Sequence, residues 1–157
     1  MTTERDLRVI LVVATAVALA TSVPYTYALA LMYSGGPFGS MQTSRMVLDL
    51  SSLVRAGAEL VAMLTVAIGL HRALAWPRLI PQRAQPGFLL AVVGSVLWLV
   101  PYALIRNLSL DPGSWVPYVL ASAVGSVGLP LFLLGIGMMV LWTPPMEPMP
   151  AGIAPMA

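Results

Sequence analysis

The chain has 157 residues, of which 59% are hydrophobic and only 9% charged, and its net charge is +2; its mean hydropathy is +0.88. Soluble domains carry about a quarter charged residues, so this composition, with its apolar residues in long runs, predicts a polytopic membrane protein. The absence of cysteine excludes disulfides, thiolate metal sites and CxxC redox chemistry, and so small a charge, with no basic stretch interleaved with aromatics, gives no footing for a nucleic-acid partner.

Residues 1–8 form a short polar head containing Glu4, Arg5, Asp6 and Arg8. The first apolar run, residues 9–33, rises about 1.5 Å per residue and so exceeds the roughly 30 Å of bilayer hydrocarbon. It is expected to span with tilt, or with a bend at Pro24. The rival reading is a cleaved signal sequence with Ala28, Leu29 and Ala30 as its small-residue site. The run is too long for the apolar core of such signals, and Tyr25, Tyr27 and Tyr33 suit an interfacial end. Ser34, Gly35, Gly36, Pro37, Phe38, Gly39 and Ser40 are turn chemistry, and the connection is expected to continue through Gln42, Thr43, Ser44 and Arg45.

The second span is expected over residues 51–70, ending at His71 and Arg72, and a loop with prolines, arginines and no acid follows to Gly87. The third, residues 88–105, carries Pro101 near its far end and stops at Arg106. Asp111, Pro112 and Gly113 form the next turn. The fourth, residues 115–142, has Trp115 and Trp142 at its two interfaces. There Pro117 fits the first turn and Pro130 is expected to kink the middle. The tail, residues 143–157, is rich in proline and methionine and is expected to be disordered. The predicted fold class is therefore an all-α integral membrane protein, a four-transmembrane-helix bundle over residues 1–142.

Four spans place Arg5, Arg8, Arg72, Arg78 and Arg83 on one side and only Arg45 and Arg106 on the other. This predicts a multi-pass protein of the plasma or inner membrane with both termini cytoplasmic. Val23, Pro24 and Tyr25 recur as Val100, Pro101 and Tyr102, which raises a weak 2+2 helical-hairpin repeat. The same tripeptide also occurs at Val116, Pro117 and Tyr118, where the chain runs the other way. A tripeptide suited to the outer leaflet is thus the better reading.

Chemistry concentrates in the second span, where Arg55 and Glu59 sit four residues apart on one helical face. At about 100° per residue, Ser52, Arg55, Glu59, Met63 and Val66 share one arc, with Ala58, Ala62, Thr65 and Gly69 beside it. Leu53, Val54, Leu60, Val61, Leu64 and Ile68 fall opposite and are expected to face lipid, leaving the charges and small residues to face the bundle. A charge at mid-span costs roughly 2.5–3.5 kcal/mol against about 0.3–0.6 returned by each Leu, Ile or Val, so the span is marginal alone and its charges need each other. Arg55 lies about one turn inside the outer edge and can reach outwards; Glu59 lies a turn deeper. Read functionally, Glu59 is a proton or cation site partnered by Arg55, with Ser52, Tyr25 and Tyr102 as polar neighbours. Read structurally, the two are a neutralised pair that pins helix packing, and a ready partner four residues away tips the balance that way.

The other candidates are bland. Asp49 reads as a helix-start residue and His71, the only histidine, as a helix-end cation that offers no haem ligation. Met138, Met139, Met146 and Met149 lack the histidine and cysteine partners of a soft-metal site. Asn107, Leu108 and Ser109 match a glycosylation sequon too short to carry weight. In the fourth span Ala121, Ser122, Gly125, Ser126 and Gly128, followed by Gly135 and Gly137, form a small-residue surface for tight helix pairing within the chain or with another. No nucleophile–base pair, phosphate loop or dinucleotide fingerprint occurs, and no cofactor or metal is expected. The sequence points to a non-catalytic accessory or scaffold subunit that binds lipid and other membrane subunits, or itself, through these faces. A small proton- or cation-coupled transporter, homo-oligomeric with Glu59 as coupling site, is the alternative.

Overall fold

The computed structural model describes residues 3–34, 38–75, 85–107 and 115–142. They form four helices and no strands: α1 (Glu4–Tyr33), α2 (Phe38–Ala75), α3 (Gln85–Asn107) and α4 (Trp115–Leu141). Three of the four, α1, α2 and α4, are long and apolar enough to cross a membrane, and α3 adds a shorter apolar stretch over Pro86–Pro101. Of the loop expected over residues 76–87, residues 76–84 lie outside the described residues, as do the turn at residues 111–113 and the tail at residues 143–157, while Gln85, Pro86 and Gly87 are helical and begin α3.

α1 begins earlier than its apolar run because Thr3 and Asp6 cap it reciprocally. The Asp6 backbone N–H donates to the Thr3 hydroxyl at 3.2 Å, and the Thr3 backbone N–H donates to the Asp6 carboxylate at 2.7 Å. These bonds from Thr3 hold the Asp6 carboxyl, in the polar head, below the usual carboxylate range. Because the folded value is the lower one, the cap is intact above the ordinary carboxylate range and is lost as pH falls through that lowered value.

α2 overturns one expectation. Phe38, Gly39 and Ser40, read as turn, and the segment Gln42 to Arg45, read as loop, are helical, and Asp49, read as a helix-start residue, lies well inside the helix. No Gly or Pro interrupts residues 40–56, and an inward stripe runs through the whole length: Ser44, Leu48, Ser51, Arg55, Ala58, Ala62, Thr65 and Gly69 are all buried or half-buried. Their alternating steps of four and three are the spacing of a helix packed along a seam. At about 1.5 Å per residue the whole of α2 measures about 57 Å, well over the hydrocarbon thickness.

α4 is the hub, touching α1, α2 and α3, while α1 also packs on α2. α1 and α4 run antiparallel. Leu11 lies against Gly137, Ser22 reaches Ser126, and the rings of Tyr33 and Tyr118 meet at 5.3 Å. At one end Arg8 closes α4: its Nε donates to the Leu141 carbonyl at 2.9 Å and its guanidinium lies 5.5 Å from the Trp142 ring centre. A cation thus caps the negative end of the helix. α3 packs on α4 by backbone approach. A Cβ on Gly94 would overlap the Phe132 backbone nitrogen, one on Gly128 the Trp98 nitrogen, and one on Gly135 the Ala91 nitrogen. The small-residue surface expected on α4 is thus spent within the chain, on α3 through Gly128 and Gly135 and on α1 through Gly137.

Pro24, Pro101 and Pro130 all lie inside continuous helices. Pro130 lacks an N–H, which deprives the Ser126 carbonyl of its helical donor. The single proton of the Ser22 hydroxyl on α1 is shared between the Ala18 carbonyl at 2.9 Å and that Ser126 carbonyl at 3.4 Å, a weak form of the neighbouring-helix repair that lets proline persist in apolar surroundings.

Among the described residues one buried hydroxyl is left without a partner, that of Thr15, whose residue is 3% exposed. An unsatisfied buried hydroxyl costs about 1–3 kcal/mol and valine has nearly the same shape. Thr15→Val is therefore expected to stabilise the folded chain by about 1 kcal/mol, read as a higher midpoint of thermal unfolding in neutral detergent. A lower midpoint would mean that the hydroxyl has a partner in the folded protein.

Candidate functional site

The wheel expected of the second span is largely realised. Leu53, Val54, Leu60, Val61, Leu64 and Ile68 are exposed on the outside of α2, and Ala62, Thr65, Val66 and Gly69 are buried, with Ala58 half-buried. Two members of the charged arc fall outside the bundle. Met63 is 42% exposed. Ser52 is exposed and its hydroxyl donates to the Asp49 carbonyl at 2.9 Å. The reason is angular: the inward stripe is centred on the small residues, which let α2 approach, and Ser52 and Met63 lie too far round.

Arg55 and Glu59 do meet. Arg55 Nε donates to Glu59 Oε1 at 2.8 Å, with side-chain exposures of 17% and 15%. Tyr25 of α1 completes the arrangement, its ring centre 5.7 Å from the Arg55 guanidinium carbon, where a cation is attracted by the ring's negative face. Tyr102, the other tyrosine expected nearby, has its side chain outside the described residues.

Arg55 also forms one wall of a cavity of about 260 Å³ to which every helix contributes. Tyr25 comes from α1 and Arg55 from α2; Trp98 and Pro101 come from α3; Tyr118, Ala121, Ser122, Gly125 and Ser126 line it from α4. α2 and α3 both pack on α4 and make little contact with each other among the described residues, and residues of both line the cavity. Glu59 does not line it. Of the two members of the pair, the arginine is the one that faces this space. Ser122, Gly125 and Ser126, expected as packing residues, also line this cavity.

Trp98, Pro101 and Tyr118 were not among the candidate residues, and the sequence did carry a signal for two of them. Tyr25, Pro101 and Tyr118 belong to the three Val-Pro-Tyr tripeptides, and all three tripeptides reach this one cavity. Trp98 sits one turn before Pro101 on the same side of α3. Comparison with known protein families, with characterised proteins and with solved structures finds no match to the chain.

Proposed function

We propose that the protein is a four-span integral membrane protein of the plasma or inner membrane, both termini cytoplasmic, acting as a non-catalytic accessory or scaffold subunit of a membrane complex. The observation that carries this reading is the way α3 is held. It packs on α4 and has no substantial contact with α1 or α2, leaving Phe88, Leu89, Val93, Val96, Leu99 and Val100 each about half exposed or more. A helix anchored on one flank offers its other flank to further helices. Gly69, Gly128, Gly135 and Gly137 are packed against other helices inside the chain, so α3 takes over the docking role in this reading. The Arg55/Glu59 pair, closed within α2 and backed by Tyr25, then serves as a neutral packing element.

Native mass spectrometry after gentle detergent extraction tests the proposal. A stoichiometric complex with other membrane subunits is the expected result, and a monomer or homo-oligomer would overturn it. Fusion of a topology reporter after residue 157 is expected to report a cytoplasmic tail; an external tail would refute the orientation drawn from the arginines.

The half-buried Glu59 carboxylate within a helix long and apolar enough to cross a membrane favours the second reading, a small proton- or cation-coupled transporter acting as a homo-oligomer with Glu59 as coupling site. Proton-driven uptake in liposomes that Glu59→Gln abolishes would establish it over the first.

A further inference from the structure

A guanidinium has five N–H donors. Arg55 commits the one on Nε to Glu59 and its face to Tyr25, and its two terminal amino groups find no acceptor among the described residues. Ser122 lines the same cavity from α4, with a hydroxyl that is likewise uncommitted among the described residues. This is unusual within the chain, since Ser22, Ser51, Ser52, Ser95 and Ser126 each donate to a carbonyl of the preceding turn. The cavity therefore presents spare hydrogen-bond donors on two helices, walled by the rings of Tyr25, Trp98 and Tyr118.

Charge selects the ligand further. Arg55 is already balanced by Glu59 at 2.8 Å, so an anion would leave the site with net negative charge in a medium that solvates charge poorly. A ligand with acceptor oxygens and no net charge meets the donors without that penalty.

We propose that this cavity binds a neutral lipid-soluble molecule through a carbonyl oxygen, which accepts from the Arg55 terminal amino groups and the Ser122 hydroxyl while its apolar body lies against Tyr25, Trp98 and Tyr118. Two sources carry that chemistry, a lipid-soluble quinone and the ester carbonyl of a diacylglycerol. This assignment goes beyond the subunit reading and is measured separately, on the purified chain, so either can fail without the other.

The test uses the full chain in maltoside micelles, a neutral detergent without carbonyl groups. A short-chain alkyl benzoquinone, dioctanoylglycerol and octanoate are titrated separately, with ligand-induced shifts of the unfolding midpoint as the common readout and tryptophan quenching as a second one for the quinone. Saturable binding of the quinone or of the diacylglycerol is expected, and whichever binds identifies the source. Octanoate is expected to bind at least tenfold more weakly. Arg55→Gln should lower affinity for the neutral ligand at least tenfold. Ser122→Leu, which fills the cavity and retains a good helix former, should do the same and guards against misfolding of the arginine variant. Glu59→Gln unbalances Arg55 and should shift preference towards octanoate. Absence of saturable binding by both neutral ligands, unchanged affinity in Ser122→Leu, or tighter binding of octanoate by the unsubstituted chain would each overturn the proposal.

Discussion

Replacement of Gly94 or Gly128 by leucine is expected to abolish recovery of a folded, monodisperse protein. At these positions the obstacle to a side chain is the facing backbone: the Phe132 nitrogen for Gly94 and the Trp98 nitrogen for Gly128. Flexible side chains can rotate away from an added Cβ, but backbone moves only if α3 and α4 separate along their length. Ordinary overpacking costs about 1–3 kcal/mol, and here even alanine should reach the upper end of that range, against a total stability of only about 5–15 kcal/mol. Gly57 is the matched control. A Cβ there meets nothing within 4 Å, and since glycine is a poorer helix former than alanine, Gly57→Ala should be neutral or stabilising by up to about 1 kcal/mol. Size-exclusion profiles after graded heating in neutral detergent separate the two classes. Equal tolerance at Gly94 and Gly57 would mean that α3 and α4 do not pack backbone to backbone.

The second large effect concerns the ion pair. Arg55→Ala leaves Glu59 without its 2.8 Å partner, and breaking a buried pair by removing one member typically costs about 3–5 kcal/mol. Replacing both members, as in Arg55→Met with Glu59→Leu, removes the uncompensated charge together with its desolvation. The double variant is therefore expected to fold at least as stably as the unsubstituted chain, with a gain in the range of about 1–4 kcal/mol seen when apolar residues replace buried pairs. A double-mutant cycle on unfolding midpoints reads the coupling directly. If the double variant is as unstable as Arg55→Ala alone, the loss comes from the Arg55 stem and its contact with Tyr25. The two-residue cycle also bears on function: a stable double variant that has lost ligand or partner shows that the charges were kept for binding.

Much of this architecture is legible in the chain itself. Long apolar runs predict helices, because a backbone surrounded by hydrocarbon must satisfy its own hydrogen bonds. The opposed arcs of the second span predict which side of α2 carries exposed aliphatics, because side-chain direction in a helix follows from residue spacing alone. The salt bridge between Arg55 and Glu59 was legible for the same reason, since its partners are one turn apart on one helix. The start of α2 was not. Turn-forming and polar residues at its beginning looked like a loop, and only the seam from Ser44 to Gly69 explains why the helix continues.

What the sequence determined by itself is thus local: four helices, the outward and inward sides of α2, and one ion pair. The tertiary structure decided everything that depends on how helices are placed against one another. It spent the small residues of α4 on α3 and α1, where a sequence pattern cannot distinguish an internal partner from an external one. It brought Tyr25, Arg55, Trp98 and Tyr118 from four different helices to one cavity. And it turned Arg55 rather than Glu59 towards that space. Periodicity specifies direction around a single helix axis; which neighbour lies in that direction, and what room is left between them, follows from the close fit of all four helices together.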